Sequence, residues 1–272
     1  MLKKILLSPS IHKRLPASWQ ASKMNLYGPD FTKAPWREII LSGIKLRFKS
    51  PPQTEMFPND IWVESKNIYN TQDFTKWDGG ETTTIYKNGW VYSDGLFGYG
   101  DVGGGTLQMI VQRRDLKKYH LNNLFDPQQI EQLILQDLCQ EYEAKNKELK
   151  EDTNRETPYN PDKDIWLYPE NIASLNRHDT NGINSYFYKV WKPLRNPEYY
   201  WTAAITDEHL LMFFYTPGTN AVDHLADDNN FSEAAYNTAK SFAENLHITL
   251  SPDAERQRQE AQQLSIPVTF PS

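Results

Sequence analysis

Gly98, Gly100 and Gly103 stand at the G-x-G-x-x-G spacing within LFGYGDVGGGTLQMIVQRRD. Glycines at that spacing can cradle a pyrophosphate, because backbone N–H groups are free to close on the phosphate oxygens. Dinucleotide chemistry further requires a helix opening at the last glycine and an acidic residue about 20 positions on. Gly105 instead leads into TLQMIVQRR, which alternates and is rich in strand formers. A kinase-type loop is equally unsupported, since V-A-I-K, H-R-D and D-F-G are all missing. The glycines therefore read as a wide connection between strands, with positive φ available to them. Tyr99, flanked by glycines, is presented outward on that connection, beside Asp101.

Asp223-His224 with Asp227-Asp228 is the nearest approach to a metal cluster, and carboxylates with imidazole suit a hard or borderline cation. The segment TNAVDHLADDNN precedes a capped helix, where acidic residues also favour the helix dipole. It reads as a solvated acidic connection, and no metal or cofactor is expected. His178-Asp179 falls in RHDTNGIN, a turn composition. Cys139 falls in mid-helix without an activating partner and reads as a buried or half-buried structural thiol. No G-x-S-x-G elbow occurs, and the adjacent pairs Glu151-Asp152 and Asp227-Asp228 sit in solvated runs. The chain lacks a recognisable catalytic constellation and reads as a non-catalytic binding protein.

Composition narrows the partner. The 272 residues are 39% hydrophobic and 13% aromatic, with 8 Trp and 15 Tyr, so a packed core is expected. A formal net charge of −6 disfavours nucleic acid, whose phosphates call for clustered cations. One cysteine makes no internal disulfide, which fits a reducing compartment. Met1-Leu2-Lys3-Lys4 and Ile5-Leu6-Leu7 resemble the start of a signal peptide, but Ser8-Pro9 ends the apolar run. No run approaches a membrane span, and the expectation is a soluble, cytoplasmic protein.

These residues must be positioned by an α+β fold. Residues 1–35 read as an irregular arm, 36–250 as one continuous domain with a polar linker near 150–164, and 251–272 as a tail. IILSGIKLRF, from Ile39 to Phe48, reads as a strand whose second half sets Ile44, Leu46 and Phe48 against Lys45, Arg47 and Lys49. Asn88-Gly89 in TTTIYKNGWVYS predicts a tight hairpin, because both residues tolerate positive φ. LQMIVQR predicts a strand with Leu107, Met109 and Val111 on one face. Asp126-Pro127-Gln128-Gln129 opens a helix with Asp126 as N-cap, and Ile130, Leu133, Ile134, Leu138 and Tyr142 carry its apolar face to about Lys150. SYFYKVWKP and YYWTAAITDEHLLMFFYTPG supply three more strands, two of them joined at Thr206–His209. Asn230 caps a last helix with Phe231, Ala234, Ala235, Ala239, Phe242, Ala243 and Leu246 in one stripe. The whole predicts a mixed or mainly antiparallel sheet covered by helices.

The succession Asn184–Tyr188, then YYWTAAITDEHLLMFFYTP, then FSEAAYNTAKSFAENLHITLS resembles the end of PsbP-like α/β sandwiches, and GIKLRFKSPP resembles their opening strand. Immunity proteins of bacterial toxin systems are similar in being cytoplasmic, acidic, aromatic-rich α+β proteins without catalytic motifs. The resemblance implies a protein partner, a cognate toxin neutralised by occlusion. The residues assigned to that contact are Trp77, Tyr99, Asp101, Asp223, Asp227 and Asp228, while Trp90 reads as sheet core. The alternatives are a housekeeping assembly or scaffold protein, and an enzyme whose catalytic residues are dispersed along the chain.

Overall fold

The computed structural model describes residues 26–54, 61–93, 101–154, 156–180, 182–193, 195–219 and 231–264. The fold is α+β. The chain opens with β1 (Trp36–Leu41) and β2 (Ile44–Lys49), paired antiparallel with Leu41 opposite Ile44. Ser42 (φ 47°) and Gly43 (φ 90°) between them are both left-handed. A two-residue turn of this kind matches the right-handed twist of its strands. The single strand expected over Ile39–Phe48 is thus a hairpin, because Gly43 removes the steric objection to reversal at that point.

The hairpin expected at Asn88-Gly89 does not form. Both residues lie inside β6 (Gly80–Ser93), which runs unbroken beside β7 (Asp101–Arg114). The Asn88 amide is buried, donating to the Pro51 carbonyl (3.1 Å) and the Tyr86 hydroxyl (3.0 Å). Those partners satisfy the side chain in the strand, so a turn offers it nothing further.

The remaining strands complete two sheets: β3 (Ile61–Trp62), β4 (Ser65–Lys66), β5 (Thr75–Trp77), β8 (Asn176–Thr180), β9 (Ile183–Val190), β10 (Glu198–Ala204), β11 (His209–Thr219) and β12 (His247–Thr249). The large sheet has the order β3-β6-β7-β11-β10-β9-β8, with β5 also on β6, and is antiparallel throughout. The small sheet has the order β12-β2-β1-β4, in which only β1 and β4 run parallel. Strands from both sides of residues 150–164 meet in the large sheet through the β7–β11 pairing. β11 is central and apolar on both faces, as its sequence predicts.

Helix α1 (Pro127–Glu151) begins as predicted, with Asp126 accepting from the Gln128 amide at 2.9 Å. Its buried residues include Ile130, Leu133, Ile134, Leu138 and Tyr142. The short α2 (Pro161–Asp164) comes next, and Asn146 of α1 then clasps the Trp166 backbone, accepting from its N–H at 2.7 Å and donating to its carbonyl at 3.0 Å. Helix α3 (Phe231–Glu244) buries Phe231, Ala235, Thr238, Ala239 and Phe242, and its predicted cap Asn230 lies outside the described residues. The expected tail instead contains α4 (Pro252–Leu264), whose Ala254 and Ala261 are buried. A ladder of ring contacts ties the layers together: Phe48 of the small sheet meets Tyr86 and Phe242, and Phe242 meets Phe213 of the large sheet. No described helix is long and apolar enough to cross a membrane.

The glycine run belongs to β7. Gly103, Gly104 and Gly105 pair with β6 and β11 inside the sheet, and Leu107, Met109 and Val111 are fully buried on one face as predicted. A Cβ on Gly105 would lie 2.0 Å from the Tyr215 hydroxyl, and one on Gly103 2.7 Å from the Phe231 ring. Aromatic rings occupy the space that side chains would take. Gly105→Val is expected to cost about 2–4 kcal/mol by forcing Tyr215 out of its place, read as a lowered denaturation midpoint.

His209 is fully buried at the start of β11, just after the tight β10–β11 connection. Its Nδ1 lies 2.8 Å from the Thr206 hydroxyl and its Nε2 3.1 Å from the Ile68 carbonyl. Burial pushes the imidazole down from 6.5 to about 4. The unfolded chain protonates first, so the contribution is complete above pH 6.5 and is lost as pH falls from there through 4, amounting to about 3 kcal/mol. Urea denaturation at neutral and acid pH should therefore show a smaller acid loss for His209→Gln than for the parent.

Candidate functional site

The structure divides the residues assigned to partner contact. Ser93 pairs with Asp101, and Gly103 with Thr219, so these ends of β6, β7 and β11 lie together at one end of the large sheet. Asp101 begins β7 there, while Tyr99, Asp223, Asp227 and Asp228 lie outside the described residues. Trp77 ends β5 opposite Gly80, which in turn faces Arg114 at the far end of β7. Trp77 and Asp101 therefore stand at opposite ends of β7, separated by its whole length. Trp77 is 39% exposed and covers a buried Arg114, whereas Trp90 is core.

Two other sequence readings change. Cys139 is exposed on α1, and hydrogen bonding to Glu143 pushes its thiol up from the ordinary value, away from thiolate chemistry. His178-Asp179 belongs to edge strand β8, with the turn one step later, where Gly182 (φ 80°) donates its N–H to Asp179 at 2.7 Å. Among the described residues no group of three His, Cys, Asp or Glu side chains could hold a metal ion.

Among the described residues, the outer face of the small sheet leaves two large hydrophobic side chains, Trp36 and Ile40, exposed. Alternation along β1 sends Ile39 and Leu41 inward and Trp36, Glu38 and Ile40 outward. In β2 it sends Ile44, Leu46 and Phe48 inward, leaving Lys45, Arg47 and Lys49 on the outer side. Register then brings the outward residues together: Trp36 stands opposite Lys49, Glu38 opposite Arg47, and Ile40 opposite Lys45. From the other side, β12 places His247 beside Arg47.

Trp36 stands at one end of this face, opposite the last residue of β2. The Arg47 guanidinium lies 4.5 Å from its ring centre, the Lys49 ammonium 5.6 Å and the His247 ring 5.4 Å. Yet Trp36 remains 41% exposed and Ile40 42% exposed. Cations over an indole face hold the ring in one orientation without burying it. Three cations face one acid, Glu38, which spends itself on exposed Lys45 at 3.4 Å. Trp62 of β3, in the large sheet, is also exposed and carries the guanidinium of Arg37, which alternation sets on the other side of β1 from Trp36, at 4.2 Å. The arrangement can present rigid aromatic area with positive charge around it, which is the chemistry of an interface anchor.

No protein-family model matches the chain. No curated protein matches it either.

Sequence reasoning identifies Lys45, Arg47 and Lys49 as a solvent face and misses Trp36 and Ile40. The row of alternating cations is a usable signal. Treating Ile39–Phe48 as one strand leaves nothing to fold Trp36 back over them. Trp36→Ala should cost less than about 1 kcal/mol in chemical denaturation, against roughly 3–5 kcal/mol for Trp90→Ala. A large loss at Trp36 would place it in the core instead of on a contact face.

Proposed function

We propose that this chain is a non-catalytic protein-binding protein, of the kind that neutralises a toxin by occlusion, and that it engages its partner with the outer face of the small sheet. The observation that carries this reading is Trp36 exposed between Arg47 and Lys49 on an open sheet face. Large exposed aromatic and aliphatic residues held in one orientation match what interface centres contain. Burying such a ring against a partner adds contact area at little entropic cost, because its rotamer is already fixed.

The surrounding cations select the partner surface. Arg47 and Lys49 favour an acidic patch, and Arg47 can grip a carboxylate with two parallel N–H donors. The whole chain carries −6, so an acidic partner gains nothing from long-range attraction. Recognition on this reading is short-range and appears chiefly in the dissociation rate.

The test is co-expression with the product of the neighbouring gene, followed by calorimetry of the complex and cell survival. Trp36→Ala and Arg47→Glu should each weaken binding at least about tenfold and reduce protection, consistent with an anchor worth more than about 1.4 kcal/mol. Ile172→Ala, at an exposed site outside the small sheet, should leave both unchanged. A complex indifferent to Trp36 and Arg47, or no complex at all, defeats the proposal.

A further inference from the structure

On the other side of the large sheet, α1 lies across the strands and leaves a cleft of about 430 Å³. Its floor is made by Ile110 of β7 and Met212 of β11, both half-buried, and its sides include Trp77, Tyr142 and the stacked pair Tyr188 and Tyr200. This volume falls within the range of small-molecule sites, and the apolar walls with few polar groups match their usual lining.

Behind one end of the cleft, covered by Trp77, Tyr119 and Asp137 of its lining, lies the fully buried side chain of Arg114. Its guanidinium is sandwiched between the rings of Trp77 and Tyr119, 4.7 Å from each centre. One amino group donates to Asp137 at 2.7 Å and the other to Gln112 at 3.3 Å, while Nε is buried without a hydrogen-bond partner. An arrangement so costly to desolvate fixes the Asp137 carboxylate in place. Arg114 and the Tyr119 hydroxyl engage that carboxylate, which offers about four acceptor positions, so capacity remains on the cleft side. Burial also raises the Asp137 carboxyl from its ordinary value, although Arg114 pulls it down.

The charges around the cleft are already matched. Lys118 pairs with Asp78, Lys145 with Glu141 at 2.6 Å, and Arg114 with Asp137 at 2.7 Å. A charged ligand would find no counter-charge left over and would lose its hydration without return. The occupant that fits is neutral, flat and able to donate one hydrogen bond.

We propose that this cleft binds a neutral two-ring aromatic molecule carrying an N–H or O–H donor, with the rings over Ile110 and Met212 and the donor on Asp137. The assignment is independent of the protein-binding face, which lies on the small sheet. A site built to accept a donor discriminates strongly against the isostere that lacks it, because the buried acceptor is then left unpaired.

Indole and its carbocyclic counterpart indene differ in that donor and serve as probes. Titration into the full chain, followed by amide NMR shifts, should give a submillimolar dissociation constant for indole and one at least about tenfold weaker for indene. Met212→Trp should fill the floor and abolish both, and Ile110→Phe serves if that variant does not fold. Asp137→Asn should turn its new amide toward the cleft, since its oxygen stays with Arg114, and so erase the preference for indole. Absence of indole binding, survival of binding in the filled variants, or equal affinity for indene would each overturn the proposal.

Discussion

Three buried hydroxyls join the large sheet to α3, and the position of the surrounding aromatic core depends on them. Tyr92 of β6 donates to Thr238 at 2.5 Å, and Thr238 donates to the Ala234 carbonyl at 3.0 Å. With the Tyr92 proton so committed, the 2.7 Å contact between Tyr92 and Tyr215 is a donation from Tyr215. The chain of donors runs one way, from β11 through β6 into the helix. Burial pushes the Tyr92 phenol up to about 12, so it stays neutral and the chain stays closed. All of this requires Tyr215 to lie flat over β7, which only the missing side chain of Gly105 permits. Gly103 and Gly105, two described glycines of the stretch that looks like a phosphate cradle, are thus a seat for rings, while Gly98 and Gly100 lie outside the described residues.

The same rule governs the other buried phenols. Tyr86 meets Ser50 at 2.8 Å, and Tyr142 meets Tyr200, which donates to Glu198 at 2.9 Å. A chain with 15 tyrosines can bury so many of them because the buried hydroxyls find partners within the layers. Arg114 obeys the same logic with charge: its cost is offset by Asp137 and two ring faces, and the geometry around it is correspondingly fixed.

The long elements are legible in the sequence because their signals are local. The α1 cap at Asp126, the stripe of α3 and the alternation of Leu107, Met109 and Val111 all depend on neighbours within a few residues. Asn88-Gly89 misleads for the opposite reason, since the partners that hold Asn88 in a strand, Ser50 and Pro51, arrive from a distant part of the chain. Ser42-Gly43 is a weaker turn signal than Asn-Gly, and it turns the chain because Ile39, Leu41, Ile44 and Leu46 can then share one buried face. The very short strands β3, β4, β5 and β12 carry too few residues to show a period. Of the predicted contact residues, Trp77 and Asp101 sit at opposite ends of β7, a separation that only strand register can reveal.

The pairing of β12 with β2 has a kinetic meaning. β1 and β2 meet through a two-residue turn and can associate early, whereas β12 comes from residues 247–249 and must close a loop spanning most of the chain. Until it arrives, β2 has a bare edge whose inner side is Ile44, Leu46 and Phe48, a template for pairing with another unfinished chain. Lys45, Arg47 and Lys49 alternate with those residues. Two such strands brought side by side would line up like charges along their length, so this row acts as a gatekeeper against aggregation while the nascent hairpin waits for its last strand.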